Sequence, residues 1–508
     1  MLVSQDRIKT QVSKFFRALA LLLVVCCLTW VGVLWRWQRS GHSIEVRDIV
    51  VYLGLLPLAV VLFLLALRWA WQQAGVRSAA VAAGIGAGAA PSAADEANNA
   101  TEERARHAVV QLVHVASCSV AGTQANELLD AAAAGKPQPQ PDAELHGGDG
   151  LPVLCARIPE TTLSLEGLRA EIDALLPLVQ QRQAEWQTQQ PRDDVLRALG
   201  ALKEPLLSQQ TWLLALDDTL KAAMEDGGEA VSRLPASQRP PLPALRVLLG
   251  WPQHWSVFEQ ALARLWVERL LGESQADLSA AYAVNYVVLA GTGEDLWLRA
   301  DQLCQPAYQT PWLLVAACHS ELDQARVEAL ALAQRLFDAS ERPGGCMPGE
   351  AAAALLLAPA DWVPPEALDC SPLHLHRPAL MRRGKPVEAA GRIDHRELAE
   401  AMVQALVTAR MEATAVTTVV CDADQHSQRS GELYGVAVDM LSHLDPVEDM
   451  RLLGKVTGFT GVASWLLVLA AASVATTSSK KSTLALGMAD SHLRMALVLK
   501  SQTEPDAA

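Results

Sequence analysis

The chain opens on two unbroken apolar runs, residues 18–35 (ALALLLVVCCLTWVGVLW) and 49–67 (IVVYLGLLPLAVVLFLLAL), neither carrying a charge. At about 1.5 Å per helical residue, each crosses the roughly 30 Å of a bilayer's hydrocarbon. Backbone groups in lipid must pair internally, so both runs are expected to be helices. Trp30, Trp35, Trp37, Trp69 and Trp71 stand at their ends, where interfacial aromatics belong. A cleaved leader fits less well, because no small-residue cleavage site follows the first run and a second run comes soon after. Residues 1–73 are therefore read as a two-span transmembrane hairpin. Arg7, Lys9, Lys14 and Arg17 before it, and Arg68 and Arg77 after it, place both of its ends in the cytoplasm.

Beyond the hairpin the pattern changes. Residues 74–107 are rich in Ala and Gly and read as a linker. Over 108–500, short apolar runs alternate with helical stretches. Strands are expected at 109–116, 245–249, 286–290, 312–318, 415–421, 484–487 and 495–500. Helices are expected at 124–134, 163–190, 256–271, 294–304, 324–337, 398–409 and 432–441. Residues 351–358 are apolar on every side and fit either a buried strand or a buried helix. Apolar strands separated by helices imply an α/β fold with a largely parallel sheet. A body of about 390 residues is large for one core, so two related halves are expected. A third apolar run, 462–476, is dense in small residues and lacks flanking aromatics. It reads as a buried core helix rather than a further span. Residues 501–508 are a tail.

Composition narrows the function. With 51% hydrophobic and 19% charged residues, the chain is not a disordered one. Residues 1–77 hold nine Lys/Arg against three Asp/Glu, so the remainder, with 33 basic and 53 acidic residues, carries −20 within a net charge of −14. An acidic body argues against nucleic acid as a partner. The nine cysteines are scattered, with no C-x-x-C, which excludes a disulfide scaffold and a zinc ribbon. Free thiols in the body agree with a reducing compartment.

Four segments carry more specific information: 344–357 (GGCMPGEAAAALLL), 419–432 (VVCDADQHSQRSGE), 454–464 (GKVTGFTGVAS) and 493–500 (LRMALVLK). Gly344, Gly345, Pro348 and Gly349 make a tight approach to the run beginning at Glu350, whose small alanines let a buried strand lie close to its neighbours. Gly458 and Gly461 lead into the small-residue helix. In this order the segments resemble motifs of β-ketoacyl synthases of the thiolase-like superfamily. Those motifs are Gly-x-x-Pro-Gly-Glu-Gly-Ala-Ala, His-Gly-Thr-Gly-Thr…Asp-x-x-Glu, Lys-x-x-x-Gly-His-x-x-x-Ala-Ala-Gly and the final strand. The motifs cover residues 243–500, and residues 108–242 follow by inference. The resemblance implies a thiolase-like layered fold of two related halves, with a homodimer as the usual assembly.

The family condenses acyl thioesters with a Cys nucleophile and two His. The matching positions of this chain depart from that set. The turn 291–295 (GTGED) holds Thr292 and no cysteine. Cys421 stands eleven residues before Glu432, where the first His belongs. Phe459 follows Gly458, where the second belongs. A phenyl ring can neither donate to an oxyanion nor take a proton. The expectation is a catalytically degenerate module without cofactor or metal, in which Thr292, Cys421 and Phe459 come together and Phe459 fills the space between them. Its partners would be the bilayer, a second copy, and an acyl ligand or a protein. The alternative is an acyltransferase or condensing enzyme. It would use Cys318 in WLLVAACHSEL, leaving a strand at a helix N-terminus that lowers its pKa, or a hydroxyl of the turn 291–295. The arrangement is also similar to membrane-anchored proteins encoded near bacterial type VI secretion systems, which implies an inner-membrane protein with a cytoplasmic body.

Weaker patterns remain. Asp422, Asp424 and His426 have metal-ligand spacing, but a hydrated loop is the better reading. Arg429 and Glu432 are placed to pair at a helix start. His374 and His376 alternate along an edge strand or extended loop. No Walker-type phosphate loop is present.

Overall fold

The computed structural model describes residues 105–226, 243–272, 278–304, 312–359, 362–368, 370–389 and 391–501. The expected hairpin, nearly all of the linker and the tail beyond residue 501 lie outside the described residues. In chain order the first half comprises β1 (Val109–Ser119), α1 (Ala125–Ala134), the hairpin β2 (Gln140–His146) and β3 (Pro152–Cys155), α2 (Leu165–Gln180), α3 (Asp193–Asp226), β4 (Ala244–Trp251), α4 (Val257–Gly272), β5 (Ala283–Ala290), α5 (Gly293–Leu303), β6 (Trp312–Ser320), α6 (Gln324–Leu332) and β7 (Glu350–Ala358). The second comprises β8 (Leu373–His376), β9 (Ala379–Arg382), α7 (Arg396–Thr408), β10 (Thr418–Cys421), α8 (Ser427–Met440), β11 (Met450–Leu452), α9 (Ser464–Ser479), β12 (Thr483–Gly487) and β13 (Leu493–Ser501).

Hydrogen bonding joins all strands but β2 and β3 in the order β11-β10-β12-β13-β8-β1-β7-β6-β4-β5, with β9 also on β13. One arrangement occurs twice. β4 lies parallel between β5 and β6, and β7 runs antiparallel to β6. Likewise β10 lies parallel between β11 and β12, and β13 runs antiparallel to β12. The internal relation expected from the body's length is thus visible in the pairing. The expectation of a largely parallel sheet is corrected: the strands that join the halves, β7, β1, β8 and β13, are antiparallel. A parallel pair needs a crossover of a dozen or more residues, and the turn from β12 to β13 is far too short for one.

Strand alternation builds the layers. Leu245, Val247 and Leu249 of β4 and Leu314, Ala316 and Cys318 of β6 face an outer layer of α2, α3 and α4. Their neighbours Leu248, Leu313, Val315 and Ala317 face inward, onto α1, α5 and α9. Val420, Ala485, Leu497 and Leu499 of the second half reach the same inner layer. Val419, Cys421, Leu484, Leu486 and Val498 face α7 and α8 on the far outside. The run 351–358 resolves as the central strand β7, buried throughout because both its faces are covered.

The third apolar run is α9. With the turn before it, the helical segment Gly461–Ser479 is long and apolar enough to cross a membrane, yet 78% of its most apolar stretch is buried in this body. A helix buried on every side must be apolar all round, and its small side chains let the strands come close. One expected helix is shorter than read: 163–190 becomes α2 and a short 3-10 turn at Ala184–Trp186, and a separate α3 begins beyond it at Asp193. Pro191 and the acidic pair Asp193 and Asp194 mark the new start.

Candidate functional site

Ligand groups in parallel α/β sheets collect at the carboxyl ends of the strands. Here those ends meet around two adjacent cavities of about 440 and 320 Å³, which share Arg335, Phe459, Ser464, Ala489 and Ser491 as walls. The larger holds Asp422 after β10, and the smaller holds His254 after β4, Thr292 and Glu294 after β5, and His319 of β6.

The glycine motifs set this geometry. The Phe459 N–H donates to the Met347 carbonyl at 2.8 Å, and Pro348 pairs with Phe459 as an isolated bridge. A Cβ at Gly349 would collide with the Thr457 carbonyl oxygen. Gly458 has φ +63 and Gly461 φ +45, and a side chain at Gly461 would strike the His319 ring. Gly344 lies against the His426 ring and Gly345 against the backbone of Leu336 and Phe337. Glu350 is fully buried and belongs to the scaffold. It pairs with Arg197 at 2.5 and 2.8 Å and accepts from the Ile158 N–H at 2.7 Å and the Ser320 hydroxyl at 3.2 Å.

The predicted site residues separate. Thr292 caps α5, accepting from the Asp295 N–H at 3.1 Å, and shares the smaller cavity with Phe459. Phe459 meets the His319 ring edge-on, with centroids 5.4 Å apart. Cys421 does not join them, which corrects the expected three-way contact. Its place on β10 turns the thiol into the outer layer with α7 and α8, and burial pushes its pKa up to about 12. The next residue, Asp422, takes the place in the cavity wall. Cys318 is corrected too. β6 runs on to Ser320, so Cys318 lies inside the strand with its thiol in the outer layer, and burial raises its pKa well above the ordinary value. The helix N-terminus expected to activate it belongs to α6, capped by Asp323.

The functional candidates missed in the sequence stand beside those that were named. His319 Nε2 lies 3.2 Å from Glu321 Oε1, and Arg326 donates to both oxygens of Glu321 at 2.8 and 2.9 Å. Burial works against the Glu321 charge, yet His319 and Arg326 bring its carboxyl down to about 2. The His319 ring meets Glu321 through Nε2. Nδ1 is buried and has no hydrogen-bond partner among the described residues. His254 meets this ring at 5.8 Å and is itself held by Asp194 at 2.9 Å.

Glu294, on the first turn of α5, is 3% exposed. Burial, and then the charge of Asp422, push its pKa to about 7. Asp422 Oδ1 accepts from the N–H groups of Met488 and Ala489 at 2.6 and 3.0 Å, while Oδ2 is buried without a partner. Burial raises the Asp422 pKa, against the Met488 amide and the charge of Arg429. The segments WLLVAACHSEL and VVCDADQHSQRSGE, singled out for their cysteines, hold His319, Glu321 and Asp422 one to three positions further on.

Asp424 and His426 serve local structure. Asp424 pairs with Arg429 at 2.8 Å, and His426 Nδ1 accepts from the Gln428 N–H at 3.2 Å. Among the described residues no group of three or more His, Cys, Asp or Glu is placed to hold a metal. Arg429 does not pair with Glu432 as expected but with Asp424 and Glu388. His374 and His376 lie on β8 between β1 and β13, inside the sheet rather than at its edge.

No protein-family model matches the chain, and no curated protein matches it. Solved structures do resemble it. The ishigamide ketosynthase/chain length factor is 14% identical over 78% of this chain and 99% of that one, with a TM-score of 0.46. A β-ketoacyl synthase from Burkholderia phymatum STM815 is 13% identical over 77% and 99%, with a TM-score of 0.45. The oxazolomycin ketosynthase domain KS7 from Streptomyces albus JA3453 is 11% identical over 79% and 75%, with a TM-score of 0.49. At TM-scores below 0.5 the likeness assigns no role to any residue of this chain.

Proposed function

We propose that the body is a thiolase-like domain that keeps the layered scaffold without the condensing chemistry. It acts as a binding or assembly module, held to the bacterial inner membrane by residues 18–35 and 49–67 and facing the cytoplasm as a homodimer. An envelope process, with an accessory part in type VI secretion, fits such an anchored module.

One observation carries this reading. Phe459 stands in the wall that the two cavities share, and neither Cys318 nor Cys421 lines either of them. Condensation needs a thiolate and donors to the oxyanion. Cys318 and Cys421 face the outer layers. Cys346 does line the larger cavity, but burial pushes its thiol pKa up as well.

The test uses the full chain recovered with alkaline-washed membranes. It is incubated with a thiolate-directed condensing-enzyme inhibitor and, separately, with acyl thioesters. Intact mass should show no adduct and no acyl-enzyme. Selective labelling of Cys318, abolished by Cys318→Ala, would replace this reading with that of an active acyltransferase.

A further inference from the structure

The acidic body carries a basic stretch. Residues 377–396 hold six Lys/Arg against two Asp/Glu, within a remainder of the chain, 78–508, whose balance is −20. Both acids are engaged: Glu388 accepts from Arg429 at 2.9 Å and Asp394 from Arg396 at 2.6 Å. The exposed side chains of Arg382, Lys385 and Arg392 form no hydrogen bond or ion pair among the described residues.

These cations border one surface. Arg382 ends β9, and Arg383 closes the loop that follows by donating to the Lys385 carbonyl at 3.4 Å and the Asp394 carbonyl at 2.7 Å. The chain then enters α7, which packs against β9. A cleft of about 370 Å³ on this side is lined by Arg106, Arg377, Leu380, Met381 and Gln404. Arg106 donates to the Gln404 side-chain oxygen, a neutral group, so its charge is not offset there. Val403 and Val407, four residues apart on α7, are 40% and 47% exposed.

The same surface receives the chain from its N-terminal side. Arg377, held by Asp301 at 2.7 Å, donates to the Ala105 carbonyl at 3.2 Å, and His107 Nδ1 lies 2.8 Å from the Thr408 carbonyl. A coil as long as residues 74–104, read as a linker, spans only roughly 30 Å. A bilayer anchored by residues 18–35 and 49–67 therefore lies within reach of this face. Charge screening over about 8 Å means that only groups turned toward such a surface feel it.

We propose that the β9–α7 face docks on the anionic headgroups of the bilayer that anchors the chain, with Arg106, Arg382, Lys385 and Arg392 toward the lipid phosphates. Each basic residue brought to an anionic leaflet favours the docked state by roughly fivefold. The acidic remainder of the body is repelled and turns outward. The proposal takes from the preceding reading only the membrane anchor.

The experiment is hydrogen–deuterium exchange of the full chain in nanodiscs of phosphatidylcholine and in nanodiscs with about one-third phosphatidylglycerol, at low salt and at about 0.5 M NaCl. The expected result at low salt is exchange over residues 377–396 slowed about tenfold by phosphatidylglycerol. The slowing should vanish at high salt, and α4, in the outer layer of the other half, should not change. The charge-reversed variant Arg382→Glu/Lys385→Glu/Arg392→Glu should lose the slowing, while Arg382→Lys/Arg392→Lys should keep it. Unchanged exchange over α4 shows that a variant is folded, and if charge reversal fails that check, Arg382→Gln/Lys385→Gln/Arg392→Gln replaces it. Equal exchange in the two lipids, or slowing that survives loss of the charges, would overturn the proposal. Retention in alkaline-washed membranes is read separately. A chain released by the wash removes the anchor, and exchange is then measured with vesicles of the same lipids. Lipid-independent exchange in a retained chain removes only this inference.

Discussion

Glu432 and Asp422 are two buried carboxylates of one sequence segment, and their surroundings are opposite. Glu432 is fully buried between arginines. Arg494, itself fully buried, donates to its two oxygens at 3.0 and 2.9 Å, and Arg383 adds a third bond at 2.8 Å. Asp422 has two backbone amides on one oxygen, and the other has no hydrogen-bond partner among the described residues. Glu432 ties α8 to β13, whereas Asp422 forms part of a cavity wall. Glu350 with Arg197 is the counterpart of Glu432 in the first half. Burial of a charge therefore does not by itself separate scaffold from site. The separation lies in whether the charge is paired where it is buried.

The comparison can be broken by substitution. Glu432→Ala leaves the Arg494 guanidinium buried without its carboxylate, and should cost about 3–5 kcal/mol in urea unfolding. A loss below about 1 kcal/mol would show that the arginines do not depend on it.

The unpaired side should reveal itself through pH. The Glu294 pKa is raised from an ordinary 4.5 to about 7, so the native state holds a proton that the unfolded chain releases. The associated stability is fully present below about 4.5 and is lost as pH rises through about 7. At roughly 1.4 kcal/mol per pKa unit, the loss is on the order of 3 kcal/mol. Unfolding free energies at pH 4.5 and 8 measure it, and Glu294→Gln should flatten the slope.

The smallest effect sharpens the contrast most. Asp422→Asn keeps an oxygen for the two amides and removes a charge that burial penalises, so stability should change by less than about 1 kcal/mol. A cost approaching that of Glu432→Ala would move Asp422 into the scaffold.

Much of this architecture could be read from residue order. Glycine and proline at 344–349 and 454–461 announced two tight segments, and these do meet, through Met347, Pro348 and Phe459. The small-residue run at 462–476 was legible as a core helix because small residues without aromatic flanks suit close packing better than lipid. The directions of Cys318 and Cys421 were not legible. On a strand apolar on both faces, alternation says only that neighbours point apart, and the layer each reaches depends on which helices cover which face. The His319–Glu321–Arg326 chain was hidden for a related reason: its residues are close in sequence, but their meaning comes from Phe459 and Gly461, more than a hundred residues away.

By itself the sequence determined where strands and helices alternate, that the body is acidic, and that a phenyl ring stands between Gly458 and Gly461. These are local properties of spacing and side-chain chemistry. Only the tertiary structure decided that the sheet is mixed, that Cys318 and Cys421 face away from the cavities, and that Glu432 is paired with arginines while Asp422 is not. Whether a buried charge finds a partner depends on groups brought from distant parts of the chain, and no local pattern encodes that meeting.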